Sequence, residues 1–256
     1  MSLLSDFIVN NLFAFILIFT RLGSALMIMP GIGDSFVSTK IRLLFALALS
    51  FVVTPVLSSF MPPPPAIAMA FMLLIISEAI IGIFIGTVMR ILIGALDTAG
   101  MIFSLQSGFA NARMFNPVSG GQGSLAGALF STLGVVMILA TNMHHLLITT
   151  IFKSYHMFPT TNGILDTGSM AQVIVNMVSV AFKIGVQFAA PFIIVGLLVY
   201  TGFGLLGRLL PQIQVFFLAL PLQILLSLIT LSFTISIAIL FWLEKYEEII
   251  KSVFPI

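Results

Sequence analysis

The sequence predicts an all-α protein that is embedded in a membrane, and three observations support this fold class. First, 60% of the 256 residues are hydrophobic and only 7% are charged, whereas about 25% of a soluble domain is charged. Second, six apolar stretches reach the length that a membrane-spanning helix needs, which is about 20 residues. Third, these stretches are continuously apolar, whereas the strands of a membrane barrel alternate between apolar and polar residues.

The predicted helical stretches are separated by residues that favour turns. Because unpaired backbone groups are not tolerated in lipid, each apolar stretch is expected to be a helix and not an open strand. The stretches are residues 7–29, 41–61, 66–93, 125–152, 171–201 and 212–243. The breaks contain Pro30–Asp34, Pro62–Pro65, residues 104–124, Pro159–Gly168, and Gly202–Gly204 with Pro211.

Five charged residues lie within or beside the apolar stretches, namely Arg21, Glu78, Arg90, Asp97 and Lys183. A charge at the centre of a membrane helix costs about 2.5–3.5 kcal/mol on insertion scales. We expect these side chains to pair within the chain or with another subunit. Snorkelling to the membrane surface is the alternative for Arg21 and Lys183. Glu78 is expected to join a structural ion pair, with a proton-relay role as its alternative.

The cations between the stretches do not fall on alternate loops, so the positive-inside rule assigns no clear orientation. This pattern is expected if some of the helices are buried in protein and do not cross the bilayer independently.

Several function classes are disfavoured by composition and spacing. A net charge of +2 without a basic cluster argues against nucleic acid as a partner. The absence of cysteine excludes disulfides and thiolate metal sites. The glycine-rich residues 119–124 precede Leu125 and Ala126, where a phosphate-binding loop needs Lys-Ser/Thr. Adjacent His144 and His145 point about 100° apart on a helix, so a shared metal ion is not expected. No enzyme, cofactor or metal site is predicted.

Residues 104–124 form a polar, glycine-rich segment between two apolar stretches, and we call it the polar segment. Inside a membrane, irregular backbone is tolerated only where it is buried in protein or lines a water-filled cavity. Amides such as Gln106 and Asn116 can satisfy such backbone, and glycines such as Gly108 and Gly120 add conformational freedom. The residues themselves leave two alternatives open, a loop outside the membrane and a loop inside a pore.

Four motifs follow one another along nearly the whole chain. They are Arg21-Leu22-Gly23 with Pro30, Lys40 and Arg42; Gln106-x-Gly108-Phe109-Ala110 with Asn116-Pro117; Asn142-Met143-His144-His145 with Pro159; and Gly207 to Phe216 with Pro221-Leu222. In this order they resemble the FliR family of flagellar biosynthetic proteins, the single-copy R subunit of type III secretion export gates. Met143 stands where glycine is expected, so the local turn is expected to differ there.

The resemblance implies a fold and an assembly. Residues 1–170 would resemble the four-helix P subunit of the gate, and residues 171–256 would resemble the helical hairpin of the Q subunit. About five P, four Q and one R subunit would build a pore in the bacterial inner membrane, within the flagellar basal body. Unfolded flagellar proteins would leave through it during flagellum assembly, and FlhB and membrane lipid would be further partners.

The resemblance also implies roles for individual residues. The chain around 106–122 would be a plug that closes the pore before secretion, and the turn after the fifth stretch would lie at the cytoplasmic side near FlhB. The five charged residues would lie at subunit interfaces or remain as intramembrane charges. The plug residues are Gln106, Gly108, Phe109, Ala110, Met114, Phe115, Asn116, Pro117, Gly120 and Gly121, and the turn residues are Arg208, Pro211 and Gln212.

Two other functions compete with this interpretation. A six-helix secondary transporter or channel for a small solute would fit the number of stretches, but transporters usually contain internal repeats, and the chain has no convincing inverted repeat. An intramembrane enzyme is disfavoured because no catalytic constellation is evident in the sequence.

Overall fold

The computed structural model describes residues 2–110, 124–160, 166–209 and 215–254. Within these ranges the chain forms long α-helices and no strands, which confirms the all-α prediction. The helices are α1 (Ser2–Ile28), α2 (Thr39–Leu57), α3 (Ala68–Gln106), α4 (Leu125–Ala140), α5 (Met143–Met157), α6 (Thr167–Leu209) and α7 (Val215–Val253). A short 3-10 helix, Ser58–Phe60, follows α2.

The fourth predicted stretch, residues 125–152, is divided into α4 and α5. The division occurs at Asn142, whose φ of 59° lies in the left-handed region and cannot continue a right-handed helix. Five single helices are long and apolar enough to cross a membrane, and the bent pair of α4 and α5 would make a sixth span. The described part of the chain therefore has five or six candidate spans, and six apolar stretches were predicted.

Four helices continue past the ends predicted for their stretches, so those predicted ends were wrong. Helix α3 reaches Gln106 and not residue 93, and α5 reaches Met157 and not residue 152. Helix α6 passes through Gly202 and Gly204 to Leu209, and α7 reaches Val253. The predicted ends lie where charges or glycines interrupt the apolar run. A helix end, however, is fixed by backbone hydrogen bonds and capping, and these helices tolerate the interruptions.

Helices α3, α6 and α7 are unusually long, with 39, 43 and 39 residues. At 1.5 Å per residue they are roughly 60 Å long, about twice the thickness of the hydrocarbon core. They also expose many large apolar side chains, such as Phe182 on α6 and Phe233 on α7. An untilted helix of this length extends well beyond one hydrocarbon layer.

The chain divides into two compact units by its internal contacts. Unit 1 comprises Met1–Ile91, Ile138–Met177 and Glu248–Ile256, and unit 2 comprises Leu92–Met137 and Val178–Glu247. The predicted division into a P-like part (1–170) and a Q-like part (171–256) concerns likeness to other subunits and stays a prediction.

Unit 1 is built around the buried face of α1, where Leu17, Ile18 and Leu22 are fully covered. Helix α3 approaches this face closely because Gly86 carries no side chain. A Cβ atom at Gly86 would lie 2.8 Å from the Ala25 carbonyl oxygen, which is too close for any side chain. The close approach brings polar groups of α1 and α3 within direct hydrogen-bonding distance.

Unit 2 has an aromatic core formed by α3, α4 and α6. The Phe103 ring lies 5.8 Å from Phe130 and 4.8 Å from Phe192, measured between ring centroids. The single tryptophan, Trp242, is buried and its Nε1 donates to the Leu92 carbonyl oxygen at 3.1 Å. This core fixes the end of α3 and the start of α4, which are the two ends of the polar segment.

Candidate functional site

The deepest polar feature of unit 1 is an ion pair between Arg21 on α1 and Glu78 on α3. Arg21 Nε lies 2.5 Å from Glu78 Oε2, and Arg21 Nη2 lies 2.9 Å from Glu78 Oε1. Both side chains have 0% exposure to solvent. The two parallel hydrogen bonds have the bidentate geometry that a guanidinium and a carboxylate favour. Arg21 therefore pairs within the chain in this structure and does not snorkel to the membrane surface.

Residues near this pair form further hydrogen bonds with both of its members. The Thr160 hydroxyl donates to Glu78 Oε1 at 2.8 Å, while Arg21 donates to Ser154 Oγ at 3.3 Å and to the Phe158 carbonyl oxygen at 2.9 Å. The Tyr155 ring lies 3.9 Å from the guanidinium carbon of Arg21, which is a cation–π contact. Each nitrogen of the guanidinium and each oxygen of the carboxylate has at least one hydrogen-bond partner, so this buried pair is a structural tie between α1, α3 and α5.

Arg90 forms the second ion pair, with Asp34 in the connection between α1 and α2. Asp34 Oδ2 also accepts a hydrogen bond from the Gly31 backbone at 2.8 Å. Arg42, at the start of α2, donates to three carbonyl oxygens of the same connection, those of Gly33, Asp34 and Val37. These two arginines therefore hold the connection between α1 and α2 through an ion pair and backbone hydrogen bonds.

Asp97 and Lys183 are exposed on the long apolar helices α3 and α6 of unit 2. Asp97 accepts a hydrogen bond from the Ser131 hydroxyl at 2.8 Å. Among the residues that the structure describes, Lys183 has no ion pair or hydrogen bond. Exposed charges in such apolar surroundings need water, lipid headgroups or an oppositely charged partner.

The near end of the polar segment is the C-terminus of α3. The helix ends at Gln106, and Gly108 follows with a φ of 78°, which glycine adopts without strain. Gln223 on α7 donates from Nε2 to the Gln106 carbonyl oxygen and, at 3.0 Å, to the Tyr200 hydroxyl of α6. Phe109 packs against Phe103 with a centroid distance of 6.0 Å. Three helices of unit 2 thus hold this end.

The far end of the polar segment is Ser124, which caps α4. Its Oγ accepts from the Gly127 backbone at 3.2 Å and donates to the Gly100 carbonyl oxygen at 3.0 Å. Ser124 Oγ also lies 2.5 Å from Ser104 Oγ on α3. Because Ser104 and Ser124 are the first and last residues of the segment and contact each other, its two ends lie at one place.

The predicted plug and turn residues are only partly within the described chain. Gln106 and Gly108 lie at the end of α3, Phe109 and Ala110 follow half-buried, and Arg208 is exposed in the last turn of α6. Eight predicted residues lie outside the described ranges, namely Met114, Phe115, Asn116, Pro117, Gly120, Gly121, Pro211 and Gln212.

Gln223, Tyr200 and Thr160 were not predicted from the sequence, because none of them carries a charge or lies in the glycine-rich segment. The sequence could have indicated Gln223, since it is the only amide in the apolar run of α7.

The structure brings the rings of His144 and His145 to 4.2 Å between centroids. No group of three or more metal-ligating side chains occurs in the described ranges.

The chain is similar in sequence to a family of known proteins. The family model described as bacterial export proteins, family 1, matches residues 12–249. A flagellar biosynthetic protein FliR of Caulobacter vibrioides is 36% identical over 234 residues, which cover 91% of this chain and 93% of that protein. FliR proteins of Bacillus subtilis and Aquifex aeolicus are 30% and 27% identical, and the matches cover 88% and 94% of this chain and 86% and 92% of those proteins.

Proposed function

Since the chain belongs to the bacterial export proteins, family 1, we propose that it is the R subunit of a flagellar type III protein export gate. The observation that carries this proposal is the similarity to flagellar biosynthetic proteins over about nine-tenths of the chain, with 36% identity to one of them. The proposed site is the bacterial inner membrane, within the flagellar basal body. The transporter alternative is not favoured by this family membership.

The dimensions of the helices support a role inside a larger assembly. Helices of roughly 60 Å with exposed apolar faces need more covering than one hydrocarbon layer provides. Neighbouring P and Q subunits, in the proposed ratio of five to four around one R subunit, would supply that covering. Asp97 and Lys183 would then meet polar groups of these subunits, because both are exposed on the apolar helices.

We assign the polar segment to the plug of the pore. The hydrogen bond between Ser104 and Ser124 supports this assignment, since it holds both ends of the segment at one place in unit 2. Neutral amides and hydroxyls hold these ends, and each such bond contributes only about 0.5–1.5 kcal/mol. Opening would be a shift of population between plugged and open states as substrate engages. The chain would supply no chemistry or energy of its own.

The exposed Arg208 at the end of α6 would face the cytoplasm and contact FlhB. Charge reversal by Arg208→Glu should then weaken copurification of FlhB before it weakens the contact with P subunits. The reverse order would contradict this placement.

Affinity purification from membranes with mass spectrometry tests the assembly. The tagged full-length chain should copurify with P and Q subunits in fixed proportions. A chain recovered as a monomer that transports a small solute would instead support the transporter and overturn the gate.

Deletion of residues 110–120 tests the plug. The assembled complex should still form, because the anchors at Gln106 and Ser124 remain, but membranes containing it should leak small solutes. Unchanged conductance of a correctly assembled complex would contradict the plug assignment without affecting the family assignment.

A further inference from the structure

Gln223 is a buried amide on the apolar helix α7, with only 5% of its surface exposed. A buried amide in an apolar helix costs free energy unless it forms hydrogen bonds. Its Nε2 donates to the Gln106 carbonyl oxygen and to the Tyr200 hydroxyl. These two partners lie on α3 and α6, so one side chain links three helices of unit 2.

The acceptor at Gln106 is a group that α3 itself cannot satisfy. Gln106 is the last residue of the helix, and the last four carbonyl groups of an α-helix have no partner within it. A carbonyl oxygen only accepts, so the amide must present its nitrogen to it. The donation by Gln223 therefore stabilises the carbonyl where the chain turns away through Gly108.

The surroundings fit the Gln106 side chain and the turn closely. A Cβ atom at Gly196 of α6 would overlap Oε1 at the end of the Gln106 side chain, so a larger residue there would push that side chain aside. A Cβ atom at Gly108 would meet Leu220 of α7 at 3.4 Å, in addition to the strain of its positive φ. The end of α3 thus lies against both α6 and α7.

We propose that Gln223 is a positioning residue for the gate: its amide fixes the direction in which the chain leaves α3 toward Phe109 and Ala110. Tyr200 orients the amide by accepting its second hydrogen bond. This role rests on the proposed plug function. Without the donor, the Gln106 carbonyl is unsatisfied and the start of the plug is no longer held in one direction, so the open state becomes more populated.

The test is the conductance of the assembled complex, reconstituted in planar lipid bilayers with the full-length chain. Gln223→Met keeps the length of the side chain and removes the donor. We expect the open fraction to rise roughly 2- to 10-fold, which corresponds to the loss of one net hydrogen bond. Tyr200→Phe should give a smaller rise, because the donation to Gln106 remains. Gln187→Met is the matched control, since Gln187 is an exposed amide on α6.

Gln223→Glu separates a positioning role from a merely structural one. A protonated carboxylic acid donates a hydrogen bond to the Gln106 carbonyl, whereas a carboxylate repels it. The conductance of this variant should therefore rise between pH 5 and pH 8, roughly the range in which a buried glutamate titrates. The wild-type complex should stay closed at both pH values, and the Gln223→Met complex should conduct at both.

The outcomes are distinct for the two proposals. If deletion of residues 110–120 produces conductance but Gln223→Met does not, the role of Gln223 is overturned and the plug stands. If the deletion produces none, the plug itself is overturned. If Gln223→Met does not assemble, Gln223→Glu decides, since a conductance independent of pH overturns the positioning role.

Discussion

The ion pair of unit 1 and the anchors of the polar segment in unit 2 are both polar groups in apolar surroundings, but their chemistry differs. Arg21 and Glu78 are fully buried charges, and each has further partners besides the other. The anchors, formed by Gln223 and Ser124, are neutral amide and hydroxyl groups that hold backbone carbonyls. The charged cluster ties helices together, whereas the neutral bonds hold a segment that is proposed to move.

The two regions differ in the free energy that is lost when one partner is removed, because one region is charged and the other is neutral. Removing one member of a buried ion pair costs about 3–5 kcal/mol, because the other charge remains buried without a partner. Losing a neutral hydrogen bond costs about 0.5–1.5 kcal/mol. A region that must stay assembled during export is better served by the first, and a region that opens is better served by the second.

The largest predicted effect follows from Glu78→Ala. Arg21 would lose two of its hydrogen bonds and remain buried and charged, so the free energy of unfolding should fall by about 3–5 kcal/mol. Chemical unfolding of the detergent-solubilised protein, followed by circular dichroism at 222 nm, measures this change. A decrease within about 0.5 kcal/mol, as for an ordinary surface substitution, would contradict the structural role of the pair.

The double variant Arg21→Met/Glu78→Leu is the control for this prediction. It removes both charges and keeps apolar volume in the core, which is often neutral or stabilising by comparison with a broken pair. It should therefore be more stable than Glu78→Ala. A double variant that is less stable would show that the packing around Tyr155 matters more than the charges.

The sequence predicted more of the fold than of the site. Continuous apolar runs and their proline or glycine breaks indicated the all-α fold, because helices in lipid must satisfy their own backbone. The same reasoning identified Arg21 and Glu78 as charges that need partners. It did not pair them, because they are 57 residues apart and the close approach at Gly86 is a tertiary feature.

The contacts at the ends of the polar segment could not be predicted from the sequence either. Its composition indicated an unusual segment, but the contacts of Gln223 and of Ser124 depend on which helices lie beside α3. In the sequence of α7, the single amide Gln223 is surrounded by apolar residues, and these do not indicate a hydrogen-bond partner. Only the position of the Gln106 carbonyl gives that amide a partner, and hydropathy contains no information about it.

An intermediate effect is expected for Ser124→Ala at the far end of the segment. The change removes the cap of α4 and the bonds to Ser104 and the Gly100 carbonyl. Loss of an N-cap costs about 0.5–2 kcal/mol, so a decrease near 1 kcal/mol in the free energy of unfolding is expected by the same denaturation measurement. Ser131→Ala is the matched control on α4, because its bond to Asp97 is exposed. Equal decreases for both variants would show that the cap is not special.

The smallest effect is expected at Asp166, a charged residue that caps the start of α6 and is fully exposed to solvent. Its carboxylate accepts hydrogen bonds from the Ser169 hydroxyl and backbone, and these bonds lower the pKa of Asp166 below its ordinary value of 3.8. A lowered pKa stabilises the folded start of α6 above pH 3.8, and this contribution is lost as the pH falls through the lower, folded pKa. Carboxyl chemical shifts in a pH titration of the solubilised protein should therefore place this pKa below 3.8. Ser169→Ala should return it toward 3.8, and a pKa unaffected by that substitution would show that the cap does not hold the carboxylate.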